Sequence, residues 1–491
     1  MRISTLIRIL ACVAAIPSLS PAQDGIATAE YGARRDSLAA AIDSGVVVAF
    51  GAREPVRHWP GFAQLPSFHY LTGFDEPDAA IVIVKRSGMS VATLFTTPVD
   101  AMSEIFNGAR ATREQIRNAT GLASRSTAEL RPFLDSLAVT LPLYVVSDIW
   151  SRDFARADTM TYGRSFVTDL ARAHAGMTVK TADPLVFRLR AKKSGPELAL
   201  IRRAADISVA GHKAALCAVR PDAKEYQVQA IMEYVFRDMG ADGPGYASIV
   251  GSGSNGTILH YDRDTRTMRA GETVVMDVAA QYQGYSADVT RTLPVSGKFS
   301  PEARAIYQVV RDAQAAAERQ VKPGAPGRSM TDSSNATLAE GLARLGLIES
   351  PTATYDPPTG ARCASNPASC TQRSLFMPHG LGHGIGLDVH DPAQYSLAPD
   401  ATMKPGDAFT IEPGIYVRAN ILDNLPDTPK NRSMVARLKP VVERYKNIGV
   451  RIEDDYIVTP SGSEWITRAP REVAELEAAM ARGGCSRPVV P

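Results

Sequence analysis

VVMDVAAQYQGYSADVTRT, residues 274–292, is the stretch on which the reading of this chain turns. Two apolar, strand-like runs flank a turn, and each carries one aspartate, Asp277 and Asp288. The pair is related by reflection about the Tyr282–Gln283 link, with Gly284 beside it. Folded as a hairpin on that centre, the two carboxylates face each other with Cβ atoms about 4.5–5.5 Å apart. Like charges directly opposed destabilise a sheet, so the arrangement makes sense around a cation. The alternative is a hairpin with two exposed acids on its solvent face.

Working outward, Glu412 lies in FTIEPGIY (409–416) and Glu453 in VRIEDDYIV (450–458), again within strand-like apolar runs. His383 lies in the glycine-rich MPHGLGHGIGLDVHDP. Burying one unpaired carboxylate costs several kcal/mol, and gathering four requires cations. Hard oxygen donors with one nitrogen suit a pair of divalent ions, which points to a metal-dependent hydrolase. A short internal repeat supports this: GETVVMD (271–277) and GDAFTIE (406–412) share a glycine–acid opening, an alternating strand and a closing acid. Each is followed by a second acid-bearing strand, with Asp288 in the first half and Glu453 in the second. Two such halves place four carboxylates about a pseudo-two-fold axis.

The glycine-rich stretch also holds His379 and His390. The His379–His383 interval fits HxxxH on a helix, but Gly380, Gly382, Gly384 and Gly386 are poor helix formers and the HExxH glutamate is missing. The glycines instead predict a backbone that approaches a ligand closely. His260, in NGTILHYD, is a fourth candidate. His58, His69 and His174 are scattered and read as structural or surface histidines.

A length of 491 residues predicts two or more domains, and 45% hydrophobic with 22% charged residues is ordinary for a globular protein. Residues 1–22 read as an export signal: Arg2 and Arg8, a short apolar run Leu10–Ile16, and a small-residue site Ser20-Pro21-Ala22. The run is too short to span a membrane. Its removal takes two arginines and no acid, turning the formal charge of +2 to neutral, and nothing suggests a nucleic-acid partner. The expected location is periplasmic or secreted, with lipid attachment at Cys12 as the lesser alternative. Cys363 and Cys370 share a Pro/Ser/Asn-rich loop and are expected to form a local disulfide after export. No CxxC spacing occurs, which excludes a cysteine metal site of that type.

The expected organisation is a signal peptide (1–22), an α/β amino domain (23–187), a catalytic α+β domain (188–475) and a tail (476–491). In the amino domain the pattern predicts a helix over 31–42 and strands over 46–50, 79–85, 91–96 and 143–146. Ser126-x-x-Glu129 and Ser194-x-x-Glu197 are capping boxes. Further helices are expected to about 219, over 224–239, from Ser300-Pro301, and over 331–345. The segments 350–373 and 421–440 read as long polar loops.

With ILHYD, MDVAAQYQGYSADVTRT, HGLGHGIGLDVHD, TIEPGIY and VRIEDDYIVT in this order, and FHYLTGFDEPDAAIVI in the amino half, the chain resembles the creatinase/aminopeptidase P family. The resemblance implies the pita-bread fold, a curved antiparallel sheet with outer helices and pseudo-two-fold symmetry, behind a creatinase-like amino domain. It implies the ligand set Asp277, Asp288, His383, Glu412 and Glu453 for two divalent ions, manganese first and cobalt or zinc as alternatives. Asp277 would serve one ion and His383 the other, with Asp288 and Glu453 bridging and a hydroxide between the ions. Glu412 would bind an ion and handle the proton; His379 and His390 would face the carbonyl of the cleaved bond, and His260 the proline ring. Arg451 would hold a carboxylate in place, or be a solvated charge on a strand surface.

The resemblance further implies cleavage before proline. Within the family the chain is most like Xaa-Pro aminopeptidases, with Xaa-Pro dipeptidase as the rival and a catalytically dead binding module as a third reading. Many family members carry an arginine after the equivalent of His390, and DPAQYSLAPDATMKPG has none; Arg418 or a residue of 421–440 is the candidate substitute. The implied partners are proline-containing peptides and further copies of the chain, as a dimer or tetramer through the amino domain.

Overall fold

β1 (Gly45–Phe50) is GVVVAF, an unbroken apolar run buried along its whole length. A strand of that kind needs cover on both faces. A computed structural model of the chain, which describes residues 25–55, 61–138, 140–147, 161–358 and 370–481, supplies it. Val46, Val48 and Phe50 pack with Leu134, Val167 and Leu170 of the helices Leu130–Ala138 and Tyr162–Ala173. Val47 and Ala49 pack on the other side with Leu38, Phe68 and Leu71 of the helices Thr28–Ala40 and Pro66–Thr72. β1 sits in a six-stranded mixed sheet with β2 (Ala80–Arg86), β3 (Met89–Thr96), β4 (Ala123–Ser126), β5 (Leu143–Val146) and β6 (Val179–Thr181), in the order β4-β3-β2-β1-β5-β6. The expected signal peptide, Cys12, His58, Cys363 and most of the tail fall outside the described residues.

The expected boundary at 187/188 is crossed by a continuous core. The β1 face formed by Val47 and Ala49 shares a cluster with Ile201, Ala205, Tyr285, Ile385 and Ile457. The Ser194–Glu197 capping box forms and starts the helix Gly195–Ala218, which packs along this junction. Just before it, Arg190 donates to Ser67 Oγ at 2.9 Å and to Asp388 Oδ2 at 2.6 Å, and also pairs with Asp391. Lys193 donates to Asp391 Oδ2 at 2.6 Å. These buried cations tie the amino domain and the linker to the loop that carries His390.

Beyond the linker come β7 (Gly243–Pro244), β8 (Ile249–Ser252), β9 (Thr273–Asp277), β10 (Ala280–Tyr282), β11 (Tyr285–Ser286) and β12 (Thr290–Pro294). The second half contributes β13 (Ala408–Ile411), β14 (Gly414–Val417), β15 (Ile448–Arg451), β16 (Asp454–Thr459) and β17 (Gly462–Trp465). β9 and β10 run antiparallel to β12 and β11 in one register, Asp277 opposite Thr290 and Tyr282 opposite Tyr285. β13 and β14 run against β16 and β15 in one register too, Ile411 opposite Asp454 and Gly414 opposite Arg451. Each half is therefore a long two-stranded ladder, interrupted where its carboxylates lie.

The centre of the first hairpin differs from the expectation. The turn residues are Gln283 and Gly284, both at positive φ (48° and 80°), as a two-residue type I′ turn requires. Asp277 thus faces Thr290, and Asp288 is its diagonal neighbour on the same face. A turn centred on 282–283 would have placed Tyr282, rather than Gly284, at a left-handed position.

The segment 421–440 also differs. Residues Pro429–Tyr445 form a helix, capped by Thr428, whose side chain accepts from Asn431 N. Met434, Leu438, Val442 and Tyr445 bury one stripe of it. Pro440 inside the helix obscured that period in the sequence. This insertion takes the place that the two-residue turn holds in the first ladder.

His69 and His174 pair with Asp75 and Asp135, each at 2.7 Å, in keeping with surface or structural roles. Cys217 and Cys370 each take part in a disulfide, and the expected Cys363–Cys370 pairing lies outside the described residues.

Candidate metal centre

The interruptions in the two ladders meet. Thr290 and Glu453 form an antiparallel bridge between the halves, with Glu453 N donating to Thr290 O at 3.1 Å. Continuing the β13–β16 register by one residue sets Glu412 opposite Glu453. The corresponding position across from Asp277 is Thr290, so the repeat aligns Thr290, and not Asp288, with Glu453.

Around this junction lies a cavity of about 320 Å³. Its lining holds the expected ion ligands Asp277, Asp288, His383, Glu412 and Glu453, together with His379, His390, His260 and Arg451. Asp288, His383 and Glu453 each offer a ligand atom, and these atoms lie within 4.8 Å of one another. His383 Nε2 is 3.5 Å from Asp288 Oδ2 and from Glu412 Oε1. The His383 and His390 rings lie 4.0 Å apart between centroids, tilted at 49°.

The glycines around His383 serve a packing need. A Cβ on Gly382 would overlap the Thr410 carbonyl, and one on Gly384 the Asp391 carbonyl. The close approach expected toward a ligand is thus, at these two positions, an approach to the protein's own backbone. It lets Thr410 N donate to His383 O at 2.8 Å and sets the imidazole beside Glu412.

Arg451 is buried, which removes the solvated-charge reading. Its Nε donates to Thr290 Oγ1 at 3.1 Å, one terminal nitrogen to the Tyr416 hydroxyl at 3.0 Å, and the other to Asp277. The carboxylate it holds is Asp277. Tyr416 lies in turn 2.9 Å from His379 Nε2. Arg418 is exposed and does not line the cavity.

Electrostatically the site is over-supplied with acid. Burial pushes Glu412 up to about 7, with Asp288 and Asp277 adding to it against His383 and Arg451. Glu453 is driven well above the carboxylate range by burial and then by Asp288, Glu412 and Asp277. Asp288 rises through burial and the charge of Asp277. Burial pulls His383 down, but its bond to Asp288 and the Glu412 charge outweigh this and hold it at about 9. His379 is lowered to about 4 by burial and by Arg451.

Two observations show that these residues fit cations. Tyr246, with a single O–H, lies 2.6 Å from Asp277 Oδ1 and 2.6 Å from Asp288 Oδ1. Glu453 Oε1 is buried and has no hydrogen-bond partner among the described residues. Lone pairs of buried carboxylates are left facing one another, and divalent ions satisfy oxygen atoms so placed.

Tyr246, Tyr416, Thr290 and Asp455, which accepts from Asp288 N at 2.9 Å, were not identified from the sequence. Tyr416 and Asp455 lie inside the acid-bearing motifs but carry no pattern of their own. Tyr246, in GPGYASIV, carries no signal at all.

Residues 199–460 match the model of metallopeptidase family M24, and residues 31–142 match the aminopeptidase P amino-terminal domain. The chain is 32% identical over 472 residues to the Xaa-Pro aminopeptidase of Escherichia coli (strain K12), covering 93% of this chain and 98% of that protein. It is 29% identical over 470 residues to the Xaa-Pro dipeptidase of Homo sapiens, covering 91% and 90%. Among solved structures, proline aminopeptidase P II from Yersinia pestis superposes with a TM-score of 0.77 at 30% identity, covering 93% of this chain and 100% of that one.

Proposed function

This chain belongs to metallopeptidase family M24, and on that premise we propose that it is an Xaa-Pro aminopeptidase with a two-ion centre. The observation that carries the reading is the gathering of four carboxylates and His383, with His379, His390 and His260, around one cavity. Asp277, Asp288, His383, Glu412 and Glu453 would hold two divalent ions, manganese in the first place and cobalt or zinc as alternatives. Bound there, such ions lower the pKa of water and draw charge from the scissile carbonyl.

The chain's own groups supply the rest. Glu412, in the cavity wall with Oε1 3.5 Å from His383 Nε2, would take a proton from the attacking water and pass it to the leaving proline nitrogen. His379, neutral near pH 7 and held through its ring nitrogens by Gly380 O and Tyr416, would line the substrate carbonyl region together with His390, beside His383. His260 closes the wall where a proline ring would pack. Proline's ring removes the N–H and fixes φ, so a shaped pocket has to do the recognition.

The aminopeptidase is favoured over the dipeptidase by the cationic groups of the cavity. A dipeptide presents a free carboxylate next to the cleaved bond. Among the described residues Arg451 is the one arginine in the lining, and all three of its nitrogens are engaged by the protein. The human dipeptidase relative keeps the second reading in play. Manganese-loaded protein should cleave Arg-Pro-Pro; cleavage of Ala-Pro alone would instead make it a dipeptidase. No turnover of either peptide would point to a binding module. Asp288→Ala should lose turnover and metal stoichiometry together.

Export through residues 1–22 belongs to the same proposal, supported by the charge and apolar pattern of that segment. So does self-association through the amino domain. The helix Ala101–Asn107 has no buried residue and exposes Met102, Ile105 and Phe106. Light scattering of the purified protein tests it.

A further inference from the structure

The helix Gly195–Ala218 is the first element of the catalytic domain and contributes nothing to the lining of the cavity. It nevertheless points two buried polar side chains, one turn apart, at the hairpin that carries Asp277 and Asp288. Ser208 Oγ donates to Ala204 O at 2.8 Å and accepts from Ala280 N at 2.8 Å. His212 Nε2 lies 2.9 Å from Val278 O and 3.1 Å from Val289 O. Both partners are carbonyls, so Nε2 carries the proton and donates to the two together. Among the described residues Nδ1 has no hydrogen-bond partner, which leaves the neutral ring with its proton on Nε2.

The place of that contact is what matters. Val278 follows Asp277 and Val289 follows Asp288 in the chain, and the two valines are partners in the hairpin register. Val278 N donates to Val289 O at 3.2 Å, and the imidazole N–H is an additional donor between the strands. The regular ladder is interrupted here, between β9 and β10 on one side and β11 and β12 on the other. Here His212 adds a side-chain contact to the backbone bonds that join the strands beside the two aspartates.

We propose that His212 is a positioning residue for the ion-holding carboxylates: its single N–H joins the two strands at the residues next to Asp277 and Asp288 and sets how far apart those carboxylates lie. The inference rests on the two-ion reading above. Outer partners that orient metal ligands typically contribute about 10–100-fold in affinity. Replacing His212 by leucine leaves both carbonyls facing a methyl group, and the hairpin relaxes toward a different spacing. Glutamine can return an N–H to the position of Nε2, whereas the shorter asparagine stops before it.

The test is Mn²⁺ titration of full-length wild-type, His212→Leu, His212→Gln and His212→Asn proteins, with the unfolding temperature of each recorded free of metal. His212→Leu should bind Mn²⁺ about 10–100-fold more weakly. Excess Mn²⁺ should recover its kcat, with KM for the peptide unchanged. His212→Gln should return most of the affinity. Leucine and wild-type proteins of equal affinity would overturn the proposal and leave His212 a packing residue, even if the unfolding temperature fell. Should the leucine variant fail to fold, glutamine against asparagine decides, and equal Mn²⁺ affinity for those two would also overturn it. Wild-type protein that binds no Mn²⁺ would overturn the two-ion reading itself, and this inference with it.

Discussion

The Thr290 hydroxyl donates to Glu453 Oε2 at 2.7 Å, across the seam where the two halves of the catalytic domain meet. The two residues occupy equivalent register positions in the two ladders, one opposite Asp277 and the other opposite Glu412. One half thus supplies a hydroxyl where the other supplies a carboxylate. Thr290→Val keeps the shape and removes the donor, leaving a buried carboxylate oxygen with one partner fewer. Chemical denaturation of the metal-free variant should show a loss of about 1–3 kcal/mol, the cost of leaving a buried polar group without its partner.

Arg451 gives a sharper contrast. Arg451→Ala leaves Asp277 buried without its counter-charge and should destabilise the metal-free protein by about 3–5 kcal/mol. Arg451→Lys keeps the charge, but one ammonium cannot serve Thr290, Tyr416 and Asp277 at their separate positions. Its unfolding midpoint should fall between those of wild type and the alanine variant.

The raised groups of the metal centre should cost the metal-free protein stability as pH rises. Against them, His379 and His212 are held down to about 4 and add stability as pH climbs from about 4 to 6.5. Glu412 is raised to about 7 in the fold, and Glu453 and Asp288 are raised as well. Between the ordinary carboxylate range and 7 these three groups therefore hold more protons in the native state than in the unfolded chain, and their contribution to stability falls as pH increases. His383, raised to about 9, acts in the same direction: its contribution is complete below about 6.5 and is lost as pH climbs through 9. Ion binding requires deprotonated ligands, so the gap in unfolding temperature between Mn²⁺-loaded and metal-free protein should widen from pH 5 to 8. Calorimetric scans across that range check it, and a constant gap would refute the assignment.

Gly382→Ala tests the packing of the histidine loop. The new methyl group would overlap the Thr410 carbonyl, so the loop must lift away from β13 and carry His383 with it. A stability loss of about 1–3 kcal/mol is expected, together with reduced metal content measured by elemental analysis. Gly380→Ala, where a Cβ meets open space, should change neither and serves as the control.

Much of this centre could be read before any coordinates. Acids set in apolar, strand-forming runs are too costly to be accidental, and Asp277, Asp288, Glu412 and Glu453 stand out for that reason. The glycine spacing around His379 and His383 likewise excludes a helix through local backbone preference alone. Capping boxes at Ser126 and Ser194 were legible because they involve residues three apart.

What the chain could not declare depends on contacts between distant segments. Hairpin register is set by whichever turn residues accept positive φ, and Gln283 does so only with Gly284 after it in a fold that pays for the strain. The helix over 429–445 was hidden by Pro440, and burial of Met434, Leu438, Val442 and Tyr445 against the rest of the domain decides it. Tyr246, Thr290 and His212 are ordinary residues in ordinary sequence. Each matters because folding sets one hydroxyl or N–H between groups far away in the chain, and hydrogen bonds of that kind leave no period or spacing to read.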